Sequence, residues 1–289
     1  MNILMSILIQ LCMYIILAIA LNLLVGYAGL VSSATAGLFG IGGYVTALLA
    51  LHFKLDFFII MITGGIVAAF LGVLVSLPAL RLKGDYFFIT TMGFTWIAVN
   101  IMTNWMDVTR GPIGLPGIPS PRILGISINS RPLFFVVVLI ITGLCIFAAN
   151  RVCNSPFGRA LKGMREDDVA LEALGKDVAA FRAKTFTVYA ILCGVAGAIY
   201  AYNMRYVDPT AFTPDESIFV LSMVVLGGVG SIKGSIVGVL VLGTISEGVR
   251  YIGLPASVAF QARQIIYGLV LILFMRYRPQ GIFGEYKIT

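Results

Sequence analysis

The chain has 289 residues, 59% of them hydrophobic and only 11% charged, with a net charge of +7 and a mean hydropathy of +0.99. A water-soluble domain carries about 25% charged residues, so the composition excludes a soluble globular protein, while apolar runs near the ~20 residues that cross a bilayer recur throughout. Continuous rather than alternating apolarity excludes a β-barrel, and no clustered basic face offers a surface for nucleic acid; the expected fold class is all-α, a polytopic transmembrane helical bundle spanning 1–289 as one domain.

Nine apolar segments are predicted, near 5–25, 30–51, 57–79, 86–106, 133–150, 185–204, 217–230, 235–252 and 258–275. No Lys or Arg precedes the first, so it lacks the basic start of a cleaved signal peptide and is expected to be retained. Setting the polar interval 151–184 on the cytoplasmic side and alternating outward places thirteen of the twenty basic residues inside, among them Arg81, Lys83, Lys233, Arg276, Arg278 and Lys287. Basic residues gather on that side, and the N-terminus then lies outside. Cys12, Cys145, Cys153 and Cys193 show no CxxC spacing and read as small packing residues.

The window ALNLLVGYAGLVSSATAGLFGIGGYV, residues 20–45, makes the start of the second segment a poor continuous helix. Two readings stay open there. Small residues such as Ala36/Gly40 and Gly43/Ala47 can serve close helix packing. Alternatively, a discontinuous helix near the N-terminus lines a solute path with freed backbone groups, making Ser32, Ser33, Gly37 and Gly40 candidates for that path. The glycines fail the GxGxxG pattern, because Val45 stands where the third belongs.

His52, the only histidine, reads as a solvated residue of a short outer turn. The stripes Gly64, Ala68, Gly72 and Ala190, Gly194, Ala198 predict tight contact between the third and sixth segments and their neighbours. Thr91, Thr95, Asn100 and Asn104 share the fourth segment and suit either interhelical hydrogen bonds or orientation of a polar solute; Thr91 and Asn100 join the path candidates. Four prolines and three glycines in TRGPIGLPGIPSP, residues 109–121, forbid regular helix and predict a stiff outer loop. It suits gating, docking of an extracytoplasmic partner, or plain connection.

The interval from Asn154 to Lys184 holds five of the thirteen acids and six of the twenty basic residues. Ser155-Pro156 is a helix start, with a hydroxyl N-cap and Pro in the first turn. That helix is expected to run through Arg165, with Asp167 or Asp168 capping a second short helix, Val169 to Leu174, stopped by Gly175. Two short charged helices at the membrane surface need another protein or lipid head groups to rest on. The mixture of acids and bases argues against a purely lipid-binding surface.

In the last third, Arg205, Asp208, Asp215 and Glu216 are read as an outer loop. VLGGVGSIKGS has the wrong order for a nucleotide-binding loop, Lys233-Gly234-Ser235 instead of Gly-Lys-Ser. The short segment 217–230 is either a tilted span or a half-helix meeting its neighbour at Gly227–Gly230. Glu247 and Arg250 are close enough to pair, with Arg263 a further partner, and Glu247 stands as the only carboxylate inside a span.

SPFGRALKGMREDDVALEALG, residues 155–175, resembles the cytoplasmic coupling loop of ABC importer permeases, and Glu172-Ala173-Leu174-Gly175 is similar to its EAA-type core. ALNLLVGYAG (20–29), GDYFFITT (84–91), TRGPIGLPGIP (109–119), VLGGVGSIKG (225–234) and RPQGIFG (278–284) resemble the LivM-like branch of the branched-chain amino acid permeases, in the right order. The resemblance implies a single permease domain in which 151–184 is the cytoplasmic coupling loop, with Arg165, Glu166, Asp167, Asp168, Glu172, Ala173, Leu174 and Gly175 as its ATPase-coupling residues.

It also implies a heterodimer with a second permease subunit, two ATP-binding subunits and a periplasmic solute-binding protein, all at a bacterial inner membrane and in contact with its lipid. Branched-chain or other hydrophobic amino acids are the implied cargo; related permeases carry urea or amides. The chain is expected to be no enzyme and to bind no cofactor, ATP being used by the partner subunits. Gly163 and Gly194 inside helices depart from the family pattern, as does Ile245-Ser246-Glu247-Gly248 where Leu-Pro-Glu-Leu is usual. A stand-alone ion-coupled secondary transporter is the competing class, and an intramembrane enzyme lacks a catalytic set.

Overall fold

The computed structural model of the chain describes residues 2–53, 55–79, 82, 84–123 and 125–250, with 265, 268–269, 272–273, 276 and 280–283 beyond them. The long helices follow from unbroken apolar sequence. They are α1 (Asn2–Asn22), α2 (Thr35–His52), α3 (Phe57–Ala79), α4 (Asp85–Asn104), α6 (Arg131–Asn154) and α9 (Val178–Met204). The other helices are the short α5 (Met106–Thr109), α7 (Pro156–Glu166), α8 (Asp168–Ala173) and α10 (Pro214–Gly227), and the 19-residue α11 (Ile232–Arg250). Among the described residues six helices are long and apolar enough to cross a membrane, and α10 with α11 adds a seventh span if the pair is counted as one.

Segments seven and eight differ from the expectation of two separate spans. α10 has 14 residues, about 21 Å of helix against the ~30 Å of hydrocarbon a span must cover. The chain bends by 118° between α10 and α11, so the half-helix alternative, with the two meeting at Gly227–Gly230, describes the arrangement. The ninth segment falls mostly outside the described residues, as do Arg81, Lys83, Arg263, Arg278, Lys287 and the side chains of Glu247 and Arg250. Glu216 does not lie in a loop: it occupies the first turn of α10 and accepts a 2.6 Å hydrogen bond from the Tyr14 hydroxyl. Glu247 is therefore not the only carboxylate within these helices.

The core is built where glycine lets backbones approach. α2, α3 and α9 pack most closely, with a β-carbon at Gly42 falling 2.5 Å from the Gly194 Cα and one at Gly194 falling 2.8 Å from the Ala68 Cβ. The glycine run of α2 is regular helix because α9 covers it, with Gly197 against Gly43. The discontinuity sits just upstream: α1 loosens into a π-turn, Leu23–Tyr27, and residues 28–34 are non-helical.

At one end of the bundle the proline- and glycine-rich loop is pinned rather than loose. A short strand β1 (Leu115–Pro116) pairs antiparallel with β4 (Tyr206–Val207), separate from a small β2–β3 hairpin at 122–127. The Arg205 guanidinium donates to Ser120 Oγ at 3.0 Å and the Tyr206 hydroxyl to the Ile113 carbonyl at 2.8 Å. His52, at the end of α2, is exposed with Nδ1 3.0 Å from the Leu48 carbonyl. The α7–α8 pair occupies the opposite end.

Candidate functional site

The projecting pair α7–α8 forms as local chemistry dictates. Ser155 accepts from the Gly158 N–H at 3.3 Å, with Pro156 following as the first helical residue. Asp167 accepts from Val169 N–H at 2.9 Å and Ala170 N–H at 3.1 Å, two amides that a helix start otherwise leaves without acceptors. Gly175 adopts φ +74°, the left-handed conformation that ends the second helix. α7 continues through Gly163, where an added β-carbon would meet Leu171 of α8 only at an ordinary contact distance of 3.8 Å. Asp168 begins α8 instead of preceding it, one residue earlier than expected.

The eight residues predicted to couple divide into two sets. Glu166, Asp167, Glu172, Ala173, Leu174 and Gly175 are exposed, with Val169 and Leu174 presenting 67% and 77% of their surface to the outside. Arg165 and Asp168 turn inward. Asp168 Oδ2 receives a 2.5 Å charged hydrogen bond from Arg182, itself 6% exposed, which fastens α8 to the foot of α9. Arg165 donates to the Gly26 carbonyl at 2.5 Å, while Lys162 stands 5.3 Å from the centre of the Tyr27 ring. A polar cavity of about 270 Å³ beside this junction is lined by Arg165, Asp168 and Arg182 together with the loops at Gly29 and Gly84.

The path candidates lie deeper and do not form one surface. Ser32 and Ser33 are buried, and Ser33 is the centre of a hydroxyl cluster. Its N–H donates to Thr91 Oγ1 at 3.0 Å, and its carbonyl accepts from Thr95 Oγ1 at 2.7 Å and Ser217 Oγ at 2.8 Å. Ser217 also accepts from the Ala36 N–H at 2.9 Å, and Thr35 shares a 2.8 Å hydrogen bond with the Tyr189 hydroxyl. These side chains satisfy backbone groups that the non-helical stretch frees inside an apolar bundle. Gly37 backs onto Phe94 and Thr95, and Gly40 onto Phe212 and Met102.

Asn100 is on the opposite face of α4 from Thr91, exposed and donating to the Trp96 carbonyl. The nine-residue separation is two and a half turns at ~100° per residue, which sets the two path candidates on opposite sides of the helix. Sequence reasoning missed Asn22: its Nδ2 donates to the Ser231 carbonyl at 3.0 Å and its Oδ1 accepts from Gly230 N–H at 2.9 Å. The signal available was an asparagine at the end of an otherwise apolar span. Among the described residues no group of three or more His, Cys, Asp or Glu is placed to hold a metal ion.

A multi-pass helical membrane protein with an interrupted helix, a bent helical pair and a capped two-helix projection is the class these features define. Residues 3–275 match the profile of the family described as branched-chain amino acid transport system / permease component, and the chain belongs to that family. The LivM permease protein of the high-affinity branched-chain amino acid transport system of Escherichia coli K12 is 33% identical over 93% of this chain and 67% of its own length. The probable LivM permease of Methanocaldococcus jannaschii is 29% identical, covering 96% of this chain and 92% of its own. The Escherichia coli K12 LivH permease is 25% identical over 95% and 92%. No solved structure matches. The homologues are transport permease components, not enzymes.

Proposed function

We propose that the chain is one membrane-spanning half of an ABC importer for branched-chain or other hydrophobic amino acids, set in a bacterial inner membrane. Two separate ATP-binding subunits seat against α7–α8, a second permease subunit completes the channel, and a periplasmic binding protein delivers solute to the pinned loop end. The observation that carries this reading is the exposed, doubly capped α7–α8 pair, with Val169 and Leu174 uncovered beside Glu166 and Glu172. A mixed apolar and acidic face of that kind suits a protein groove better than lipid phosphates. ATP is bound and hydrolysed by the partners, and this chain holds no cofactor.

Three buried hydroxyls at or within α2, those of Ser33, Tyr44 and Thr46, have no hydrogen-bond partner. Buried polar groups are seldom left unsatisfied. These unsatisfied groups support a solute path that opens along α2, bordered at its N-terminal end by Ser32, Ser33, Gly37, Gly40 and Thr91. Asn100, on the outer face of α4, then faces the second permease, since an amide is costly against lipid.

The test is uptake by the assembled importer. Glu172→Arg and Gly175→Trp abolish uptake and binding-protein-stimulated ATP hydrolysis while the chain still inserts in the membrane; normal transport by both variants overturns the coupling assignment. Glu216, paired with Tyr14 within the bundle, favours a second reading, an ion-coupled transporter acting alone. Reconstitution of the purified chain in vesicles separates the two, since only that reading gives gradient-driven uptake without ATP or partners.

A further inference from the structure

We propose that Arg165 and Asn22 are positioning residues of a mechanical link that ties the α7–α8 projection to α10 through residues 22–36. The inference rests on the transport reading above and names the parts of the chain through which the projection acts.

The link starts at an orphan carbonyl. Where α1 loosens into the π-turn Leu23–Tyr27, a carbonyl at the helix end is left outside the usual i→i−4 pattern. Arg165 supplies the donor at Gly26, a cation at the negative end of the α1 helix. The junction is close-packed at two points. A β-carbon at Gly29 would fall 2.9 Å from Arg165 Cγ, and one at Gly26 would fall 2.6 Å from the Gly230 nitrogen.

From this segment both ends of α10 are held. Asn22 binds the turn after its C-terminus with a donor and an acceptor at once, through Ser231 and Gly230. Ser217, in its first turn, is bonded to Ser33 and Ala36. Residues 280–283 add a third hold, with Ile282 N–H donating to the Leu226 carbonyl at 3.1 Å and Phe283 N–H to that of Gly227 at 2.9 Å. Close-packed interiors pass displacement on instead of absorbing it. When the projection moves, Arg165 draws the π-turn with it, and α10 and its turn follow.

Hydrogen–deuterium exchange on the purified chain in lipid nanodiscs tests this without any partner. Asn22→Leu removes the direct hold, and exchange of the amides at 228–231 rises about tenfold, the effect expected for losing a buried hydrogen bond pair. Arg165→Met, far from that turn in sequence, raises exchange there as well, and Arg165→Lys, which keeps a donor, restores it. Unchanged exchange at 228–231 in Arg165→Met overturns the link, whether or not Asn22→Leu folds.

In the assembled importer the same Arg165→Met lowers the ratio of solute taken up to ATP hydrolysed. A parallel loss of both, with exchange at the turn unaltered, makes Arg165 a docking residue and also overturns the proposal. If the unsubstituted complex shows no ATP-dependent uptake, the transport reading fails by itself, and the exchange result still decides the link.

Discussion

At Gly42 the nearest atoms a β-carbon would meet are backbone atoms of Gly194 on α9, at 2.5 Å for Cα, and backbone cannot step aside as a flexible side chain can. Gly93, halfway along α4, meets nothing within 4 Å. The same substitution therefore has opposite signs at two helical glycines. Gly42→Ala costs about 1–3 kcal/mol, as for overpacked cores, and lowers the thermal midpoint in detergent. Gly93→Ala leaves that midpoint unchanged or raises it, since alanine is favoured over glycine in a helix by up to ~1 kcal/mol. The stripes Gly64–Ala68–Gly72 and Ala190–Gly194–Ala198 were legible in the sequence because helical spacing alone aligns small residues. That Gly42 and Gly194 face each other was not, because the contact depends on how two distant helices cross. Arg165 illustrates the same limit: an arginine in a charged interval reads as surface, and only the fold brings it to a carbonyl 139 positions away.

Among the elements, α8 is the most dependent on one side chain. It has six residues, buries none of them, and two of its first amides rest on Asp167. An isolated helix that short is not stable in water. Asp167→Ala, at about 1 kcal/mol for a lost N-cap, makes the amides of 169–174 exchange about fivefold faster while the thermal midpoint of the bundle holds. Asp167→Asn, also a good cap, behaves like the parent. Equal exchange in all three would show that Arg182 and Asp168 alone hold the helix. Caps and stops of this kind depend on a few adjacent residues, which is why Ser155, Asp167 and Gly175 could be read directly. α10 depends on remote groups, Asn22, Ser33 and the residues near 282, so a short segment ending at Gly227–Gly230 was legible as one of two alternatives, while its bend against α11 was not. The glycine run of α2 misled for the complementary reason: low helix propensity is overridden when α9 covers the face.

For the molecule as a whole the decisive question is which end faces the cell interior. Arg159, Lys162, Arg165, Lys176, Arg182, Lys184 and Lys233 all lie at the α7–α8 end or in the first turn of α11 beside it, while Arg110, Arg122, Arg131 and Arg205 mark the pinned-loop end. Basic loops gather in the cytoplasm, so the balance predicts the projection inside, which is the side the proposed coupling to ATP-binding subunits requires. The native cysteines favour a direct measurement, since Cys12, Cys153 and Cys193 are buried and Cys145 is half-buried. Glu172→Cys and Gly117→Cys place one thiol at each end, on exposed positions. In intact cells a membrane-impermeant maleimide labels Gly117→Cys and spares Glu172→Cys until the membrane is opened. The reverse pattern would put α7–α8 outside, beyond reach of cellular ATP-binding subunits, and with it would go the proposal that this end drives the transport path along α2.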